Sequence, residues 1–518
     1  MQKEIIKANV VVFIASFCTL VIELVAGRIM APYVGVSLYT WTSIIGVVLA
    51  GISIGAYAGG LLADRFPRAS TLGWLLFLSG LAALTISPLT NFVGNAQLQT
   101  SLMARILLLT TAIFFIPSCL LGMISPVVVK LTLSNLDKTG NVVGKIYAFS
   151  TLGSILGTFA TGFFLISWMG TRNILFTMGA ILILSAPVFG GAFMKKKFFA
   201  AFLAVLVPLL WAFYGHAFRA PVDSSTYYFK ESDYFTIKAK KHKTRDGKRT
   251  VDALVLDHLV HSINDTGNPF YLDYEYIRMY EEFVRWHLGN RAPAALFIGG
   301  GGYTFPRYLE AKYPGAGIDV VEIDPEVTEA AYRFMGLSRD TGIRSYNEDG
   351  RWFVMNRREK GKYDFIFGDA FNDLSIPYHL TTLEFNRMLA NLLKPDGMLL
   401  ANMIDSYERG LFLPSYIRTL EEVFGKGNVH LVSRSPDYHK IGISTFIVVA
   451  SRKPLDIRAF YAAMKNRNEA KTMSFVIPQE ELERHLASRP AAILTDDYVP
   501  ADNLVAPIFE ERFGYQRK

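Results

Sequence analysis

The sequence predicts a chain in two parts, a polytopic α-helical membrane bundle followed by an α/β domain built on a parallel sheet. Three observations predict it. Long apolar runs recur through the first 218 residues. Strand and helix patterns alternate from about residue 295. A glycine turn joins the first of those strands to its helix in "ALFIGGGGYTFPRYLEAKYPGAGIDVVEID", residues 295–324.

Composition sets the outer limits. The chain has 518 residues, enough for two or more domains, and is 51% hydrophobic and 19% charged. That average describes neither half, because charges are sparse before Arg219 and dense after it. The net charge of +8 does not point to nucleic acid, since no basic run is interleaved with stacking aromatics. The densest basic stretch, "KAKKHKTRDGKR" (238–249), surrounds Asp246-Gly247 and predicts a solvated hairpin tip. Cys18 and Cys119 both fall in apolar runs, so neither a disulfide framework nor a metal site is expected. The N-terminal apolar segment runs through Glu23 without a small-residue cleavage pattern, which excludes a cleavable signal peptide.

A span needs about 20 apolar residues. Seven candidates meet this: 8–28, 40–63, 70–90, 103–133, 144–168, 173–194 and 198–218. The fourth is too long for one straight helix and contains Pro117 and Pro126, so a kink or a break into two helices is expected there. Small residues in "GVVLAGISIGAYAGG" and "STLGSILGTFATG" predict close helix packing. Lys3, Lys7, Arg65, Arg68, Lys138, Lys145 and Lys195 to Lys197 lie on alternate connections, which places those loops and the N-terminus in the cytoplasm. Seven crossings would leave the C-terminal domain outside, whereas the chemistry argued below favours inside. Glu23 and Arg28 lie in or near the first span; Glu23 is either a functional intramembrane carboxylate or a structural one bonded to a neighbouring helix or to Arg28. "GGLLADRFPR" resembles the loop signature of major facilitator transporters, but seven spans are too few for that twelve-helix fold.

After residue 225, "STYYFKESDYFTIKAKK" and "RTVDALVLDHLVHSIND" alternate as strands, predicting a small β-rich lead-in over 225–275. The α/β domain proper is expected over 276–452, with 453–518 as an extension packed on it. Strands are predicted at 295–298, 318–322, 343–346, 364–368, 397–403, 428–433 and 445–450. Helices at 304–313, 325–335, 349–358, 382–393 and 414–424 separate most of them. Such alternation implies a parallel, Rossmann-like sheet covered on both faces, with ligands beyond the carboxyl ends of the strands.

The residues at those ends are the candidate site. Gly299, Gly300, Gly301 and Gly302 follow the first strand and let a ligand approach the backbone, although Thr304 breaks the GxGxxG pattern. Glu322 ends the second strand, where a carboxylate can accept both hydroxyls of a ribose. Asp349, with Gly350 in "NEDGRWF", follows the third and could accept from an adenine amino group. Asp369, in "YDFIFGDAF", ends the fourth, near the expected reacting atoms. Each acid has an ordinary alternative as a helix N-cap. Three at successive strand ends beside a glycine turn favour a nucleoside pocket. His258 and His261 in "LDHLVH", read as strand, lack a Cys or acidic partner, so no metal is expected.

The order of "ESDYFTI", "LVLDHLVH", "ALFIGGGG", "VVEIDPEV", "EDGRWFV" and "YDFIFGDAF" resembles that of spermidine synthases, the polyamine aminopropyltransferases, over about residues 225–452. "ELVAGRIMAPYVG", "YTWTSIIGVVLAG", "GDAFNDLSIPYHLTTLEF" and "TDDYVPADNL" extend the resemblance to bacterial membrane proteins called fused transporter-like/spermidine synthases. The resemblance implies transfer of an aminopropyl group from decarboxylated S-adenosylmethionine to an amine, putrescine or another polyamine, with release of methylthioadenosine and no tightly bound cofactor. It implies Asp369 as the catalytic base and Tyr234 beside the amine; Tyr276 and Asp373 are further candidates around the acceptor, and His261 is either another or a satisfied structural histidine. The expected setting is a multi-pass protein of the inner membrane, in contact with the lipid bilayer; homo-oligomerisation is left open.

The departures concern the acceptor. Gly302-Tyr303-Thr304 stands where the family has Asp-Gly-Gly, and Asn372 where it has a second Asp, with Asp373 one further on. Tyr276-Ile277-Arg278 replaces Tyr-His-Glu, and Phe235 and His261 replace two glutamines. A methyltransferase using intact S-adenosylmethionine, or a transporter or sensor that binds nucleoside or polyamine without turnover, are the competing readings.

Overall fold

The computed structural model describes residues 2–35, 37–94, 100–133, 139–190, 223–244, 247–357, 359–370, 377–465 and 472–512. Two compact units divide near residue 222.

The first unit is helical: α1 (Gln2–Val34), α2 (Leu38–Arg65), α3 (Ala69–Val93), α4 (Leu102–Gly122), α5 (Ile124–Thr132), α6 (Thr139–Ala160) and α7 (Thr171–Phe189). A π-turn at Thr161–Leu165 and a last turn at Ile166–Met169 prolong α6. Six segments are long and apolar enough to cross a membrane, with α4 and α5 counted together. The seventh candidate, 198–218, lies outside the described residues, as do Lys195 to Lys197. The long fourth run does break: α4 ends at Gly122 and α5 starts at Ile124, which puts Pro126 in a first turn where its missing N–H costs nothing. The small-residue runs mark close packing. A Cβ on Gly55 of α2 would come within 2.1 Å of the Cys119 carbonyl oxygen of α4, and one on Gly153 of α6 within 2.3 Å of the Phe13 carbonyl of α1. Glu23 is half-buried in α1, and among the described residues no ion pair joins it to Arg28.

The second unit opens with a four-stranded sheet in the order β1 (Thr226–Glu231), β2 (Thr236–Lys243), β3 (Thr250–Leu256) and β4 (Leu259–Asn264). "LDHLVH" is not one strand. Asp257 and His258 form a two-residue hairpin turn between β3 and β4, with Asp257 at φ +56°. Asp allows this left-handed conformation, but Asp-His carries none of the glycine signal that would have marked it. The basic run does span a hairpin, since β2 pairs antiparallel with β3 on either side of it; Asp246 itself is outside the described residues.

Helix α8 (Glu275–Leu288) leads into an eight-stranded sheet of β5 (Ala294–Ile298), β6 (Gly317–Val321), β7 (Arg344–Tyr346), β8 (Tyr363–Gly368), β9 (Leu393–Ser406), β10 (Val429–Ser433), β11 (Ile443–Ser451) and β12 (Phe475–Val476), with α9 (Thr304–Lys312) following β5 and α10 (Pro325–Phe334) following β6. The order is β12-β10-β11-β9-β8-β5-β6-β7. Strands β9 to β7 in that list are parallel, as expected. The other three are antiparallel, which corrects the expectation of a parallel sheet throughout. Away from the edge strands β7 and β12 both kinds are largely buried on two faces, so their apolar runs read alike and carry no direction.

Chain order reverses at β5, which has β8 on one side and β6 on the other. A crevice therefore opens beyond the carboxyl ends of β5 and β8, where such sheets hold ligands. Beneath it Phe297, Phe305, Phe367 and Tyr280 pack as an aromatic cluster; the Phe297 and Phe367 rings stack at 4.6 Å. These rings fix the strand ends on which the site stands.

Candidate active site

Asp369 follows β8 and extends its pairing with β5, its backbone N–H donating to the Ile298 carbonyl at 2.9 Å. Its carboxylate is held on both sides. Tyr276, in the first turn of α8, donates its hydroxyl to Oδ2 at 3.0 Å, and Asn402 of β9 donates its amide to Oδ1 at 2.8 Å. Burial pushes the carboxyl up to about 6, against the pull of these two donors. Gly299 lies directly opposite: a Cβ there would sit 2.4 Å from the Asp369 carbonyl, and its φ of +99° is open to glycine alone.

Tyr276 is thus brought to Asp369, its ring set between those of Tyr274 and Tyr280. Where the resemblance would place an acid, Arg278 donates Nε to the Leu272 carbonyl at 2.8 Å. Tyr234 is exposed between β1 and β2. His261 is half-buried on β4, with Nδ1 3.1 Å from the Leu259 carbonyl oxygen. Asp373 lies outside the described residues. Among those described, no three His, Cys, Asp or Glu side chains gather as a metal site.

The glycine turn closes on Glu322, one residue past β6. Its Oε2 accepts from the backbone N–H of Gly300 (2.9 Å) and Gly301 (3.1 Å), and Oε1 from Asp324 (3.1 Å). Burial raises this carboxyl while the three N–H groups oppose the shift. A carboxylate has about four acceptor directions, so three are taken. Gly302 donates its N–H to Ser262 at 2.8 Å. Tyr303 follows at φ +54°, a left-handed conformation costly for a side chain. Its buried ring and a 3.0 Å bond from its hydroxyl to Ser345 hold it there.

Asp349 is a helix N-cap, the ordinary role weighed for it. Oδ1 accepts from the backbone N–H of Arg351 (2.9 Å) and Trp352 (3.0 Å) at the start of α11 (Gly350–Met355). Its Oδ2 stands 2.8 Å from His379 Nε2. Burial acts to raise this carboxyl, yet the Trp352 N–H and His379 hold it below its ordinary value. Gly350 presses on β5, since a Cβ there would meet Ile298 at 2.8 Å. An apolar pocket lined by Ile298, Gly368, Ala370, Pro377, Leu380 and Tyr416 adjoins these groups.

Sequence reasoning missed Asn402, Ser262 and His379. Asn402 had a signal: it closes the apolar run "MLLA" and, in the parallel register, follows Ala401, which faces Gly368. His379 had none, because its partner lies 30 residues away across a turn.

No family model matches the chain. It is 25% identical to "polyamine aminopropyltransferase 2" of Aquifex aeolicus over 492 residues, 91% of this chain and 93% of that protein. A 137-residue stretch is 36% identical to an N-terminal histidine N-methyltransferase of Emericella nidulans, covering 25% of this chain and 23% of that protein. Among solved structures, a probable spermidine synthase from Corynebacterium glutamicum aligns with a TM-score of 0.45 and 19% identity, over 54% of this chain and 99% of that one. The relationship along nearly the whole chain makes this protein spermidine synthase-like, and a transferase.

Proposed function

We propose that the chain is a membrane-anchored aminopropyltransferase that moves the aminopropyl group of decarboxylated S-adenosylmethionine to a small amine such as putrescine or another polyamine, releasing methylthioadenosine. The observation that carries this reading is Asp369: a carboxylate at the switch point of the sheet, pushed up to about 6 by burial and fixed by two side-chain donors.

The chemistry suits the arrangement. An alkyl amine has a pKa near 10 and arrives as ammonium. Asp369, ionised above about pH 6, holds that ammonium and takes its proton as the nitrogen lone pair attacks the carbon attached to sulfur. The C–N bond forms, the C–S bond breaks, and the electron pair returns to sulfur as a neutral thioether. Positioning does most of the work, since the sulfonium is already a good electrophile. In this reading the glycine turn and Glu322 carry the ribose and Asp349 faces the adenine, beside the apolar pocket. Tyr276, bonded to Asp369, faces the amine, and Tyr234 and His261 are the further candidates for holding it.

The six apolar helices support a multi-pass protein of the inner membrane. The second unit works on the cytoplasmic side, where sulfonium nucleosides are made. Purified full-length protein incubated with decarboxylated or intact S-adenosylmethionine and a panel of amines, with mass analysis of products, tests the reading. Aminopropylated amine with methylthioadenosine is the expected pair. Methylated product would instead establish a methyltransferase, in line with the similarity to the Emericella nidulans protein. No product from any pair would leave a binding module.

A further inference from the structure

Asp349 is steadied from the far end of the chain. Residues 492–496 lie along α12 (Leu383–Leu392) and α13 (Phe412–Phe424). Ala492 donates its backbone N–H to Ser415 at 3.1 Å and Leu494 to Thr419 at 2.9 Å. The Leu494 carbonyl accepts from Leu383 N–H at 2.7 Å, and Asp496 N–H donates to Glu384 at 3.0 Å. So anchored, the Asp496 carboxylate takes both arms of the Arg351 guanidinium, Nη1 reaching Oδ1 at 2.7 Å and Nη2 reaching Oδ2.

Arg351 is the second residue of the helix that Asp349 caps. Its Nη1 also donates to the His379 carbonyl (3.0 Å) and to the Thr382 hydroxyl (3.1 Å). That fixes the turn carrying His379, whose Nε2 meets Asp349. A two-armed Arg–carboxylate contact sets orientation as well as charge. Because the pair is partly exposed, with 41% of the Asp496 side chain accessible, it contributes little to stability. Its consequence is geometric.

We infer that Asp496 is a positioning residue of the nucleoside pocket, acting through Arg351 and His379 to fix Asp349 so that it selects a base bearing an exocyclic amino group. This rests on the donor-binding reading above. Three N–H donors already face the Asp349 carboxylate, which leaves about one acceptor direction of roughly four. An adenine amino group can donate into it, whereas a hypoxanthine carbonyl would set oxygen against oxygen. If Asp349 can swing, that discrimination blurs.

The test is calorimetric titration of the full chain in detergent with methylthioadenosine and methylthioinosine. The wild type is expected to prefer the adenine nucleoside by tenfold or more, about one hydrogen bond's worth. Asp496→Asn should bring the two affinities to within about threefold of each other, with the melting temperature nearly unchanged, and Asp496→Glu should restore the preference. His379→Phe removes the last link without touching the C-terminal segment, and should also erase the preference; it decides the matter if Asp496→Asn does not fold. An undiminished preference in the variants, with a wild type that binds, overturns the positioning role alone. A wild type that binds both nucleosides equally overturns the selection by Asp349. Binding of neither overturns the donor-binding reading and this inference with it.

Discussion

Asp369→Asn should disable the enzyme and change how stability depends on pH. The Asp369 carboxyl is pushed from an ordinary value of 3.8 up to about 6 in the folded protein, chiefly by burial. Each unit corresponds to 1.36 kcal/mol, so ionising this group costs the fold about 3 kcal/mol at most. The sign follows from linkage. A carboxyl whose folded value is raised supports the fold fully below its unfolded value, and that support is lost as pH rises through the folded value. Wild-type stability from this residue therefore falls between about pH 4 and pH 6 and stays low above. Asparagine has no such transition, so the variant's stability relative to wild type should rise across that window. The gain at pH 8 will be smaller than 3 kcal/mol, because Tyr276 and Asn402 then donate to a neutral group.

Activity should move the opposite way. Loss of a general base costs about 100- to 10,000-fold, and the ascending limb of the wild-type pH–rate profile, near pH 6, should vanish. Melting of the full chain in detergent at pH 5 and pH 8, with turnover on the same samples, measures both. A variant that turns over like wild type refutes the base assignment. A stability difference that does not grow with pH refutes the placement of the charge.

Three further outcomes follow from the same geometry. Tyr276→Phe removes one donor that favours the charged form of Asp369, so the ascending limb should shift to higher pH by about one unit; an unmoved limb in a pH–rate profile would separate Tyr276 from the base. Glu322→Gln loses the charge facing the N–H groups of Gly300, Gly301 and Asp324 and should weaken methylthioadenosine by about tenfold in calorimetry, with equal affinity arguing against a ribose at this place. Cysteine placed at Lys241 should be protected from an impermeant thiol reagent in intact cells, and labelling there would put the second unit outside.

Much of the sheet was legible because its strands are apolar runs bounded by glycines and acids. Strand β5 between Pro293 and Gly299, and β8 closed by Gly368-Asp369, needed nothing more. Direction was not legible, since β10 and β11 are as apolar as their parallel neighbours. Nor was the turn at Asp257, where a left-handed residue stands without a glycine to announce it. At the site, the strand-end acids could be found by position alone, but their partners come from elsewhere in the chain: Tyr276 lies 93 residues from Asp369, and Asn402 lies 33 away on the neighbouring strand. Tyr303 shows the limit most plainly. Its left-handed backbone is tolerated only because a buried ring contact over Gly300 and a bond to Ser345 hold it, and neither leaves a local trace in "GGGGYT".

The partners also separate the three acids by role. Glu322 faces backbone N–H groups on both oxygens, and Asp349 on one, with an imidazole on the other. Backbone donors cannot swing away, so Glu322 is a fixed acceptor, and Asp349 becomes one with His379 holding its second oxygen; in the proposed reading they suit a hydroxyl and an amino group that keep their protons. Asp369 is met by side chains alone, one hydroxyl and one amide. Those donors can shift as its charge changes, and burial sets it near 6, while Asp349 is held below its ordinary value. Carboxylates whose surroundings push their proton affinities apart divide the labour of binding and proton transfer. Between Asp369 and Asp349 that division leaves Asp369 able to gain and lose a proton near neutral pH while Asp349 stays ionised, which in the proposed reaction suits the first to proton transfer and the second to recognition.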